Sequence, residues 1–472
     1  ISMDSTRRPT SDSAHYQAIV IGSGQGGTPL CRALADAGLR TALVERAHIG
    51  GTCANDGCTP TKTMIASARV AELARRGAGY GVLTGSIRVD MARVRQRTRD
   101  IVDSFRGGSQ KRLEQTANLE LVFGDASFTA PMSLIVRLAG GSQRALSADQ
   151  IFIDAGARPA VPKIPGLEDT PFLNSTSILE LDVAPEHLLV LGGGAIGLEF
   201  AQMFRRFGSR VTIVQDAPQL LHREDADVAA EVAAILTKDR IELLLGAHAE
   251  RAACTGAQIQ LTVRIGDEAR TVGGSHLLVA TGRVPNTDTL NLSAAGIATD
   301  DRGFIRVNSR LETSAAGVFA LGDINGGPKF THIAYDDFRI LRTNLLEHGQ
   351  ATTEGRLVPS VVFIDPELGR IGLSEADARA KHLAIRVARL PMTKVARALE
   401  VDEPRGFMKA IVDAGTDQIL GAAVLGLEGG EVMSMLQLAM MGRVPYTALR
   451  DGVFAHPTLA ESLNNLFTHF DS

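Results

Sequence analysis

Cys53 and Cys58 lie in the stretch GGTCANDGCTPTK. A C-x4-C pair with a glycine between its members can close a small disulfide ring, the basis of reversible redox chemistry. Pro60 suits the first turn of a helix, and residues 61 to about 75 read as helical. Cys58 therefore falls near a helix N-terminus, where the dipole favours a thiolate, and Cys53 falls in the loop before it. Two other readings compete: half of a metal site, or two buried thiols. Metal sites usually repeat the cysteine pair or add paired histidines, and no second ligand pair follows here. Cys31 reads as a small buried hydrophobe, and Cys254 has no assigned role.

The elements around the pair contain one motif twice. The apolar run from Tyr16 to Gly22 reads as a buried parallel strand. Gly22, Gly24 and Gly27 follow and open a helix to about Ala37, and a second strand ends at Glu45. Gly22 permits the tight turn, Gly24 lets a pyrophosphate approach the backbone, and Gly27 lets helix and strand pack closely. The helix N-terminus supplies N–H groups to the phosphates, and Glu45 can accept hydrogen bonds from ribose hydroxyls. The unit recurs from His187 to Gln215, with Gly192, Gly194 and Gly197, and Gln215 stands where Glu45 stands in the first copy. Two such units imply two dinucleotides, most economically a flavin reduced by a nicotinamide. Gln215 is neutral and Asp216 would repel a 2′-phosphate, while Arg210 and Arg223 are near only in sequence. The lean is to NADH over NADPH.

Bulk properties agree with a globular α/β enzyme. The 472 residues suggest about three domains at roughly 100–200 residues each. A net charge of −4 gives no nucleic-acid footprint. The 48 glycines fit many tight turns, and four cysteines are too few for a secreted disulfide framework. No apolar stretch is long enough to span a bilayer. Residues 1–14 read as a polar, disordered leader without a secretory signal, so the cytoplasm is the expected compartment.

The chain resembles the pyridine nucleotide-disulfide oxidoreductases, which include dihydrolipoamide dehydrogenase, glutathione reductase and mercuric reductase. The resemblance runs from Tyr16 to about Phe470 and rests on GSGQGG, GGTCANDGCTPTK, GGGAIGLEF, LLVATGRVPN, TSAAGVFALGD and HPTLAE. It implies two Rossmann-like three-layer domains and a C-terminal α+β dimerisation domain. The expected division is an FAD domain at 15–155 and 283–355, an NAD(P)H domain at 156–282 and a dimerisation domain at 356–472. FAD would be held by Gly22, Gly24, Gly27, Glu45, Gly51, Thr52, Gly156 and Asp323. NAD(P)H would be held by Gly192, Gly194, Gly197, Gln215 and Gly282. Cys58 would face the flavin and Cys53 the substrate. Lys62 and Glu199 match the family pair beside the flavin ring. His456 and Glu461 match the acid–base pair, contributed across a homodimer.

KFTHIAYDDFRIL, LPMTKVARALEVDEPRGFMKAIVD and LRDGVFAHPTLAESLNNLF are similar to the bacterial reactive-chlorine-resistance reductases. That subgroup is linked to Cu(II) reduction and to oxidants such as hypothiocyanite. The resemblance implies an enzyme that reduces a small oxidant (a reactive-chlorine product, Cu(II) or a quinone), with no resident metal and no membrane or nucleic-acid partner. The alternatives are dihydrolipoamide dehydrogenase, a mercuric reductase-like protein and a cysteine-independent diaphorase or transhydrogenase. Three parts of the sequence depart from the family pattern. Asp56, read as facing outward, and Thr59 replace apolar residues, and IDAGARP stands where ATGSRP is usual. The tail THFDS also lacks the cysteine pair by which mercuric reductase delivers its metal. His332 and Tyr335 read as ordinary residues of the helix after the flavin motif.

Overall fold

The computed structural model describes residues 13–471. Residues 1–12 of the expected leader lie outside the described residues, and residues 13 and 14 already belong to the first strand. Two compact units form. One gathers the chain up to Pro60 with Arg99–Arg158 and Arg283–Arg356, and the other holds Thr61–Thr98, Pro159–Gly282 and the chain from Leu357.

In the first unit, β1 (Ser13–Ile21) leads into helix α1 (Gly27–Asp36) and β2 (Thr41–Glu45). Strand β1 is the centre of a parallel array. β2 pairs on one side with Leu119–Ala130 beyond it, and Gln143–Ile153 pairs on the other with Val318–Ala320 beyond it. Alternate residues of β1 enter different cores. Ile19 and Ile21 join Phe128 and Ile151, whereas Ala18 and Val20 join Leu30, Leu34 and Phe152. A strand buried on both faces needs this unbroken apolar run. Each large side chain so buried contributes about 1.5–3 kcal/mol.

After β2 the chain forms α2 (Gly51–Asn55) and α3 (Cys58–Arg76). The second unit repeats the strand–helix–strand pattern. His187–Leu191, helix Ala195–Phe207 and Arg210–Gln215 form it, and a four-stranded parallel sheet is completed by Glu242–Leu245 and His276–Val279. A five-stranded antiparallel sheet follows, with helix Gly429–Met441 packed on it through Val432, Met433 and Leu436. The two expected dinucleotide units and the C-terminal α+β segment are thus present. Among the described residues, no helix is long and apolar enough to cross a membrane.

Candidate active site

The backbone before Cys53 is bent by Gly50 and Gly51, at φ +106° and +60°. That bend starts a turn at once, so Cys53 sits in the one-turn helix α2 and not in the loop expected from the sequence. Asn55 fastens the turn, its Nδ2 donating to Ile49 O (3.0 Å) and Gly51 O (2.9 Å). A side chain at Gly57 would meet Thr52 O at 2.9 Å, so the return of the chain towards α2 depends on a glycine there. Cys58 is then the first residue of α3. Both cysteines are free thiols, Cys58 exposed and Cys53 half-buried. Thr331, the first residue of helix Thr331–Leu346, places its Oγ1 3.4 Å from Cys58 Sγ. The positive ends of two helices therefore meet at Cys58. A proton shared with Cys58, together with burial, pushes the Cys53 thiol up, and Thr331 offsets part of that shift.

The first glycine turn carries Glu45 beside it. Glu45 Oε2 accepts from Ser23 N (3.0 Å) and Ser23 Oγ (2.6 Å). A Cβ at Gly22 would strike Asp154 O, one at Gly24 would lie 2.6 Å from Asp154 Oδ2, and one at Gly27 would strike Gly22 O. Gly51 approaches the same turn, its missing Cβ 2.8 Å from Gly24 Cα, and exposed Thr52 follows it. Gly156, at φ +66°, accepts from Asn286 N (3.1 Å). Burial pushes the Asp323 carboxyl up, and Arg283 Nε lies 3.8 Å from it. Arg283 is itself pushed down by burial, flanked by the charges of Asp323, Asp56 and Cys58, and its Nε is buried without a hydrogen-bond partner. The glycine cradle and this orphaned guanidinium nitrogen fit an anionic dinucleotide.

In the second turn Gln215 Oε1 accepts from Gly193 N (2.7 Å), as Glu45 accepts from Ser23. Gly194 faces open space, while a Cβ at Gly197 would strike Gly192 O. Gly282, at φ +136°, accepts from Ala160 N (2.9 Å). Arg210 stands at the opposite end of its strand from Gln215 and pairs with Glu242 at 3.6 Å.

Two further pairs form within the second unit. Lys62 Nζ lies 2.8 Å from Glu199 Oε2 and 4.6 Å from the Phe363 ring centroid. Buried Glu199 also accepts from Phe363 N (2.9 Å), which fixes its orientation. His456 Nδ1 lies 2.8 Å from Glu461 Oε2, leaving Nε2 as the nitrogen that can exchange a proton.

Asp56 does not face outward as expected. It is half-buried, within reach of the Arg283 charge. The His332 ring stacks on Phe330, and the Tyr335 ring meets Phe338 edge-on, each within its own segment. Thr331, Arg283 and Asp154 were not singled out by the sequence reading. Their signals were the residue beside His332, the arginine after Gly282 and the departure IDAGARP. Among the described residues, no cluster of three or more His, Cys, Asp or Glu is arranged to hold a metal ion.

The profile described as pyridine nucleotide-disulphide oxidoreductase matches residues 16–337, and that of the family's dimerisation domain matches 358–467. The probable pyridine nucleotide-disulfide oxidoreductase RclA of Escherichia coli (strain K12) is 39% identical over 96% of this chain and 99% of its own length. A mercuric reductase of Staphylococcus aureus is 31% identical over 97% of this chain and 82% of its own length. Among solved structures, the Cu(II) complex of the HOCl-induced flavoprotein disulfide reductase RclA from Escherichia coli superposes with a TM-score of 0.89. It is 39% identical, over 96% of this chain and 99% of that one. The chain belongs to the pyridine nucleotide-disulfide oxidoreductases, FAD-dependent enzymes that work with a pyridine nucleotide.

Proposed function

We propose that this enzyme uses NAD(P)H to reduce a small oxidant, a reactive-chlorine product or Cu(II), through a Cys53–Cys58 disulfide. The observation that carries the reading is the convergence of Cys53, Cys58 and Thr331 at two helix starts. FAD, when bound, would supply the hydride-accepting chemistry and the two electrons that the disulfide takes up. Taking up two electrons and one proton, the disulfide becomes one thiolate and one thiol. Cys58, at the positive helix ends, holds the thiolate, and Cys53, pushed up, holds the proton. Cys53 then attacks the oxidant. Loss of two electrons, to one two-electron acceptor or to a pair of Cu(II) ions, re-forms the S–S bond. His456 of the partner subunit takes the Cys53 proton, held in the right tautomer by Glu461. Lys62, held by Glu199, is the cation that the resemblance assigns to the flavin, where it would supply positive charge.

The domain division expected from the resemblance, and the FAD and NAD(P)H assignments of the two glycine turns, belong to the same reading. Neutral Gln215 and the engagement of Arg210 with Glu242 favour NADH. The Cu(II) complex of the Escherichia coli relative supports Cu(II) among the acceptors.

The test is a steady-state screen of the purified enzyme with NADH and NADPH against hypothiocyanite, Cu(II), Hg(II), lipoamide and glutathione disulfide. Turnover should be greatest with hypothiocyanite or Cu(II) and lost in Cys53→Ser. Dominance of lipoamide would sink the small-oxidant reading, and full activity in Cys53→Ser would sink the thiol mechanism.

A further inference from the structure

The two glycine turns close on the same backbone partner but not on the same side chain. In the first, Asp154 N donates to Ile21 O (2.8 Å), and in the second, Ala280 N donates to Leu191 O (2.8 Å). Gly22 closes on Asp154 O as Gly192 closes on Ala280 O. Asp154 and Ala280 are therefore equivalent positions, one acidic and one apolar.

The acid is not a passenger. Asp154 is 6% exposed, and its Oδ2 accepts from Gly27 N at 2.7 Å, at the N-terminus of α1. A Cβ at Gly24 would lie 2.6 Å from Oδ2, and one at Gly322 would lie 2.7 Å from Oδ1. At Gly194, the counterpart of Gly24, the same direction is open space. That direction is the one the middle glycine of the motif leaves clear for a pyrophosphate. The Asp154 carboxyl thus borders the path of the dinucleotide phosphates and uses an N–H of the helix end that would attract them.

We propose that Asp154 is a positioning residue of the flavin-nucleotide site, held as a neutral carboxylic acid, and that its ionisation weakens FAD binding. The inference rests on assigning the first glycine turn to FAD. As a neutral acid it still accepts from Gly27 N–H, and its own O–H can donate. As a carboxylate it opposes the pyrophosphate charge at close range. Its surroundings favour the neutral form. Burial comes first, then the carboxylates of Asp323 on the Gly322–Asn325 turn, Asp337 on helix Thr331–Leu346 and Glu45 at the end of β2. These causes push Asp154 well above the usual carboxylate range, although Gly27 N–H opposes them. On α1 the neighbouring Cys31 thiol is pushed up to about 12 and stays neutral, beside Arg32. Arg356 is 2.6 Å from Asp337, and Arg283 and Lys329 oppose Asp323.

The sign follows from linkage. FAD binds the protonated form better, so affinity is full at low pH. It falls once pH passes the pKa of Asp154 in the flavin-free protein and levels above its pKa in the holoenzyme. The experiment is ultrafiltration of holoenzyme across a pH series from mildly acidic to alkaline, with fluorescence of the released FAD as the readout. Wild type should show a dissociation constant rising by up to about tenfold per pH unit, the slope of one coupled proton. Asp154→Asn, which keeps the Gly27 acceptor without a charge, should be flat, and Asp154→Ala, which copies the second turn, should be flat also. A wild-type profile without slope, or a slope retained in either variant, overturns the proposal. The KM for NAD(P)H should not follow the substitution. A shift there, in place of FAD release, would instead overturn the assignment of the first turn to FAD.

Discussion

The Thr331 hydroxyl lies 3.4 Å from Cys58 Sγ and also holds the Cys53 thiol down, so its removal acts on both cysteines. A thiolate at Cys58 accepts its hydrogen, and a hydrogen bond to a charged acceptor contributes about 1.5–3 kcal/mol. Thr331→Val keeps the shape and removes that bond. In the reduced enzyme the midpoint for alkylation of Cys58 should therefore rise by about one to two pH units, and Thr331→Ser should restore it. An unchanged midpoint would remove Thr331 from the chemistry. His456 can be tested by splitting the reaction. His456→Ala should slow thiol reoxidation by roughly 10²–10⁴-fold, the usual worth of a general acid–base group. Reduction of the enzyme by NAD(P)H should keep its rate. Equal slowing of both halves would mean that His456 acts on structure and not on the proton.

At the level of elements, the second glycine turn separates fit from function. Gly197 and Gly194 are both inside the motif, yet a Cβ at Gly197 strikes Gly192 O while one at Gly194 meets nothing within 4 Å. Gly197→Ala should destabilise the fold by about 1–3 kcal/mol, the cost of overpacking, and lower the melting temperature. Gly194→Ala should melt as wild type and raise the KM for NAD(P)H by about tenfold, equivalent to ~1.4 kcal/mol of binding. Parallel losses in both variants would show that the turn is structural only. This turn was legible in the sequence because its logic is local: strand, glycines and helix are consecutive. The helical placement of Cys53 was less so, since it depends on the positive φ of Gly50 and Gly51 and the Asn55 clamp. Asp154 and Thr331 stand in segments the sequence marks out, but their contacts were illegible for a different reason. Asp154 reaches Gly27 only because Gln143–Ile153 pairs in parallel with β1. Thr331 reaches Cys58 only because a distant helix begins there. Spacing along the chain carries no signal for either.

At the scale of the whole molecule, the helix Gly429–Met441 leaves one apolar face uncovered in the single chain. Met435, Leu438 and Met441 recur at three-residue spacing, which places them on one side of the helix, and Leu438 and Met441 are 67% and 63% exposed. The opposite side, with Val432, Met433 and Leu436, is buried against the antiparallel sheet. This helix lies within the segment matched by the family's dimerisation domain. Burying such a face on a second copy would remove apolar area from water at about 25 cal/mol per Å². A charge introduced at its centre must instead be desolvated without a partner. Leu438→Glu should therefore run as a monomer in analytical ultracentrifugation while keeping the wild-type far-UV spectrum. If His456 serves the thiols of the partner subunit, that monomer should still be reduced by NAD(P)H, since both thiols and both glycine turns lie in one chain. Its steady-state turnover should fall by about a hundredfold or more, as in His456→Ala. A fully active monomer would place the proton exchange within a single chain and remove the dimer from the mechanism.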